Sequence, residues 1–159
     1  MKKSILLILC SVFAVNTYAQ DVLTCDSVYR QTARVINRDE PCLLTAINYV
    51  LEHPLNDNSK TYDDCIRFIL TWMDKTSEFS FDLNGNVLEL CKGDNLLLFN
   101  VYLASLAKPA VETKKLDIPV ALNVFAAYLE TPENKVKLTS KLKKFISNVK
   151  ANEIDKYLK

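Results

Sequence analysis

Glycine is nearly absent from this chain of 159 residues, histidine and tryptophan occur once each, and neither acids nor bases dominate. Two glycines, Gly85 and Gly93, do not make a phosphate-cradling loop, and no G-x-S-x-G or H-E-x-x-H sequence occurs. With one histidine, His53, any Ser-His-Asp or Cys-His set would have to use that residue. It stands directly before Pro54 at the end of a helical pattern, where a histidine commonly caps carbonyls. The formal net charge of +1 argues against nucleic acid as the main partner. The cysteines show no C-x-x-C and no zinc-site spacing, which removes the common redox and metal roles. Long β-branched runs are missing as well. Apolar residues instead recur every three or four positions, so helices are expected throughout.

The opening "MKKSILLILCSVFAVNTYAQ" places Lys2 and Lys3 before an apolar run of about ten residues and the small Ala19 before Gln20, the layout of a secretory signal peptide. The run falls short of the ~20 residues that span a bilayer. Bulky Leu9 before Cys10 does not suit a lipoprotein signal. Residues 1–19 are therefore expected to be removed, leaving residues 20–159 as one periplasmic or extracellular domain long enough to bury a core. Loss of Lys2 and Lys3, with no acid, takes the charge from +1 to −1.

The clearest helix is "NSKTYDDCIRFILTWMDK", with Ser59 as N-cap, Asp63 and Asp64 in the early turns and Lys75 at the end. Its stripe of Tyr62, Cys65, Ile66, Ile69, Leu70 and Met73 forms one broad apolar face. Before it, "CDSVYRQTARVI" reads as a first helix. "EPCLLTAINYVLEH" reads as a second, with Pro41 in its first turn and Pro54 stopping it. After it, "GDNLLLFNVYLASLAK" is apolar almost all round from Leu96 onward, with Asp94 as cap, and should be the central buried helix. "KPAVETKK" reads as a loop. "LDIPVALNVFAAYLE" takes Asp117 as cap and Pro119 in its first turn, and "TPENKVKLTSKLKKFISNVK" repeats the pattern from Thr131 and Pro132. The expected fold is all-α: a compact bundle of six or seven helices, mostly antiparallel neighbours.

Four cysteines survive removal of residues 1–19, and an even number in an exported chain is compatible with two disulfides; buried thiols are the alternative. If the first helices run up and down, Cys25 and Cys42 lie roughly 20 Å apart at about 1.5 Å per residue, too far for a bridge. That arrangement favours Cys25 with Cys65 and Cys42 with Cys91.

"FDLNGNVLEL" begins like a calcium loop, with Asp82, Asn84 and Asn86 at alternate positions. Counting from Asp82, however, Val87 falls where the turn glycine belongs and Gly93 where the bidentate carboxylate belongs. An extended segment, an "NGN" turn and one helical turn at "VLEL" is the simpler expectation. No metal or cofactor is expected. Between Lys135 and Lys150 there are six lysines and no acid, and Lys137, Lys141 and Lys144 fall on one helical face suited to an anionic surface or to solvent. Trp72 is either a packing contact or an exposed anchor.

The order "AINYVLEHPLNDNS", "FILTWM", "FSFDLNG", "LLLFNVYLASLAK" and "EIDKYLK" resembles a group of uncharacterised secreted all-helical proteins of Bacteroidota. The resemblance implies a signal peptide, a compact helical fold and no assigned activity or catalytic residues. Together these readings point to a non-enzymatic secreted or periplasmic module that binds another protein. A periplasmic immunity or inhibitor protein is the alternative, and a hydrolase built on Glu52, Asp57, Asp63 and Asp64 is the weakest reading.

Overall fold

The computed structural model describes residues 40–158. Six α-helices follow in order among them: α1 (Glu40–Glu52), α2 (Lys60–Lys75), α3 (Gly85–Leu88), α4 (Leu98–Thr113), α5 (Ile118–Glu130) and α6 (Ser140–Lys150). Short 3-10 turns sit at Glu89–Cys91, Gly93–Asn95, Pro132–Asn134 and Asp155–Tyr157. No strand occurs among the described residues, and the all-α expectation holds. The signal-peptide segment, the "CDSVYRQTARVI" helix and Cys25 lie outside the described residues.

Side-chain caps fix most helix starts. The Ser59 hydroxyl accepts the Tyr62 N–H at 3.1 Å, the Asp117 carboxylate the Val120 N–H at 3.0 Å, and the Thr139 hydroxyl the Leu142 N–H at 3.3 Å. Past the end of α1, His53 Nδ1 lies 2.7 Å from the Tyr49 carbonyl, so the proton sits on that nitrogen, and the ring stacks on Tyr49 with centroids 3.6 Å apart. The capping role expected from sequence is the one it performs.

Three boundaries depart from expectation. Asp94 does not cap the central helix. Gly93 takes a left-handed φ of 61°, Asp94 falls in the Gly93–Asn95 turn, and α4 begins only at Leu98. Leu96 and Leu97 are thereby left on the surface. At its other end α4 runs through "KPAVET" to Thr113. An internal proline costs about 3 kcal/mol, but Ala110 and Val111 beyond it are buried in the cluster with α1 and α2, which offsets that cost. Lys114, at φ 57°, then ends the helix. Finally, Thr131 and Pro132 open only a 3-10 turn, which Lys135 closes in a left-handed conformation, φ 54°. Helix α6 starts at Ser140, so Lys137 is not on its face with Lys141 and Lys144.

Helix α4 is the axis, packed against α1, α2 and α5, with α6 behind α5. On one side Ala104, Ala107, Ala110 and Val111 meet Leu43, Ile47, Phe68 and Ile69 of α1 and α2. Their small side chains let the helices approach closely. On the other side larger residues build a row of rings: Tyr102 to Phe125 at 5.6 Å, Phe125 to Phe145 at 5.6 Å, and Phe145 to Tyr157 at 5.0 Å.

This two-sided core corrects both disulfide pairings. Cys65 belongs to the α1–α2 side and Cys91 to the α5–α6 side, and both are buried thiols outside any disulfide. Cys42 packs on the Cys65 side, with α4 between it and Cys91. Neither Cys25–Cys65 nor Cys42–Cys91 is formed. Alkylation of the native protein is expected to reach Cys65 and Cys91 at least about a thousand-fold more slowly than in urea, because modification must wait for opening. Peptide mapping of the oxidised chain should find Cys65 and Cys91 outside any bridge. A mapped bridge containing Cys65 or Cys91 would refute this.

Candidate binding surfaces

The acids considered for hydrolysis do not share one environment. Asp64 is turned inward, 2% exposed, and ion-paired with Lys60 and with Arg67 at 3.3 Å, whereas its neighbour Asp63 and also Glu52 are exposed. Trp72 is 5% exposed and is no surface anchor. It sits in an aromatic cluster with Phe79 at 6.0 Å and Phe81 at 5.6 Å, so the residues after α2 fold back to cover it.

The "FDLNGN" segment is a joint in the fold. Asn84 Oδ1 accepts the Asn86 and Val87 N–H groups at 2.8 and 3.2 Å and so caps α3, which takes the side chain out of any ligand set. Asn86 Nδ2 donates to the Lys156 carbonyl at 2.7 Å, tying the Asp155–Tyr157 turn to α3. Asn84 also bonds, through its backbone, to the Tyr102 hydroxyl. Among the described residues no three His, Cys, Asp or Glu side chains converge in a way that could hold a metal ion.

That joint forms one edge of an apolar notch of about 180 Å³. Leu83, 39% exposed, and Leu158, 44% exposed, flank it together with Leu116 and Ile118, and buried Tyr102 and Tyr157 form its floor. Ser80 and Asp82 add a polar edge. The notch has room for one or two apolar side chains. Sequence reasoning missed it because its walls come from four segments that are far apart in the chain.

The lysine-rich region forms a second surface. Lys92, Lys135 and Lys137 surround a depression of about 390 Å³, and Lys92 and Lys141 an adjoining one of about 530 Å³, with Asn95 and Thr139 shared between them. Beside Asn95 stand Leu96 and Leu97, 68% and 48% exposed. Lys92 is ion-paired with Glu89. The hydrogen bond from Lys92, with a further contribution from the Lys141 charge, holds the Glu89 carboxyl below its ordinary value. Lys135, Lys137 and Lys141 carry no ion pair among the described residues, although Lys60, Lys75, Lys108 and Lys150 do. Lys144 is exposed one turn beyond Lys141.

No family model, curated protein or solved structure matches the chain.

Proposed function

We propose that this is a non-enzymatic binding domain of the cell envelope, secreted or periplasmic, that works by holding another protein. The observation that carries the reading is the notch, in which Leu83 and Leu158 stand half-exposed over buried tyrosines. Aromatic-floored apolar hollows of this size take the central side chains of protein interfaces, where a few anchors supply most of the affinity. The inward, ion-paired Asp64 and the carbonyl-bound His53 favour binding over catalysis. No helix among the described residues is long and apolar enough to cross a membrane.

A photo-crosslinking residue at position 83 in the native host is expected to trap one discrete protein, and Leu158→Asp should reduce that product at least ten-fold with the melting temperature unchanged. The control position is Leu70, which is exposed but outside the notch. Identical products from positions 83 and 70, or no effect of Leu158→Asp, would count against the proposal. If the trapped protein is a toxin encoded beside this gene, the domain is its immunity protein.

A further inference from the structure

Leu96 is the most exposed large apolar residue among those described, at 68%, and Leu97 follows it in the same turn at 48%. Burying them would remove apolar surface from water, yet the chain lifts both outward on the turn between Gly93 and α4. Around this turn four lysines outnumber two acids, Glu89 and Asp94, which also line the depressions. Lys92, Lys135, Lys137 and Lys141 rim the two depressions beside it, and the last three are without ion pairs among the described residues.

We propose that this lysine-ringed leucine turn docks the protein on the surface of an anionic bilayer. Leu96 and Leu97 enter the headgroup boundary, and the lysines meet lipid phosphates lodged in the depressions. Lysine carries its charge on a long apolar stem, which suits a site where the stem lies along lipid and the ammonium stays with the headgroups. The composition also separates a bilayer from an acidic protein. Protein interfaces concentrate aromatic residues and arginine and are poor in lysine, whereas this surface has four lysines, no arginine and no aromatic on its rim. Its leucines also project from a turn and do not line a hollow. The exposed acids Glu89 and Asp94 limit the affinity, and Glu89 is already held by Lys92. Two leucines and a few lysines give a reversible association of the kind a single weak anchor plus a basic patch provides. The notch formed by Leu83 and Leu158 has no part in it, so the domain could hold its protein partner while resting on the membrane.

Flotation of the full chain, after removal of residues 1–19, with vesicles of phosphatidylglycerol and of phosphatidylcholine tests the proposal. Binding is expected to the phosphatidylglycerol vesicles and to fall at least ten-fold between low salt and half-molar salt, since exposed charges are screened. Each lysine near such a surface contributes about five-fold, so Lys135→Gln with Lys137→Gln should weaken binding about 25-fold. Leu96→Ser with Leu97→Ser should weaken it about ten-fold or more at low salt. These side chains are exposed, and a melting temperature within a degree or two of the parent will show that the variants fold. Inorganic phosphate at millimolar concentration should not displace the vesicles; displacement would make the site one for free phosphate and overturn the proposal. Equal binding to both vesicle types, no binding at low salt, or retention by the leucine variants would overturn it too. Position 97 trapping an acidic protein in place of lipid would have the same force. The crosslinking result at position 83 is unaffected by any of these outcomes.

Discussion

Phe125→Ala is expected to destabilise the protein by about 3–5 kcal/mol, the range for deleting a buried aromatic ring. Phe125 is fully buried and touches both Tyr102 of α4 and Phe145 of α6, so its ring joins three helices. Few neighbours can close the cavity, since Tyr102 is tied to Asn84 and Phe145 is packed against Tyr157. A domain of this size has roughly 5–15 kcal/mol of stability in total, so the variant should unfold at markedly lower urea. Leu70→Ala, on an exposed side chain, should stay within about 0.5 kcal/mol of the parent. A loss below about 2 kcal/mol for Phe125→Ala would mean that the ring row does not organise the core.

Raising the pH from 8 to 11 is expected to remove on the order of 3–5 kcal/mol of stability through groups that ionise only in the unfolded chain. Burial pushes the Cys91 thiol up to about 12 from 9.0, and burial with nearby Asp57 pushes the Tyr62 hydroxyl up to about 12 from 10.0. Burial raises Tyr128 and Tyr102 as well. Because each folded value lies above its unfolded one, the stabilisation is whole below about pH 9 and falls as the unfolded thiol and then the unfolded phenols lose protons. Each group then contributes up to ~1.4 kcal/mol per pH unit, trimmed by solvent screening. Tyr62→Phe sharpens the test. The Tyr62 hydroxyl is buried with no hydrogen-bond partner among the described residues, so the variant should match or exceed the parent at pH 8 and lose less by pH 11. Urea melts across this range check both. A flat profile from pH 8 to 11 would contradict the assignment.

How much of this was legible in the sequence followed from whether the deciding interaction was local. Ser59 and Asp117 cap the next turn of chain, and His53 caps the last carbonyls of α1, so composition and spacing were enough to place them. The Pro109 turn was hidden because distant burial, not propensity, carries the helix onward. The same limit governed the cysteines: which side of α4 a thiol faces is a tertiary fact, and a hairpin estimate could not supply it. For the lysines, the stripe from Lys137 to Lys144 assumed one continuous helix. The left-handed Lys135 instead places Lys137 beside Lys92, a residue more than forty positions away. The notch was beyond reach for the same reason, as its walls meet only once the chain is folded.

The bond from Asn86 to the Lys156 carbonyl spans seventy residues, and that separation sets the order in which the molecule can be completed. Helices α1 and α2 can pair as soon as they are made, but the Asn84–Asn86 joint keeps open donors until residue 156 has left the ribosome. Closing so long a loop comes late, since its entropy must be offset by contacts already in place. Through that interval Phe145 lacks its cover from Tyr157, and the half-made chain exposes the apolar surface that a holding chaperone would recognise.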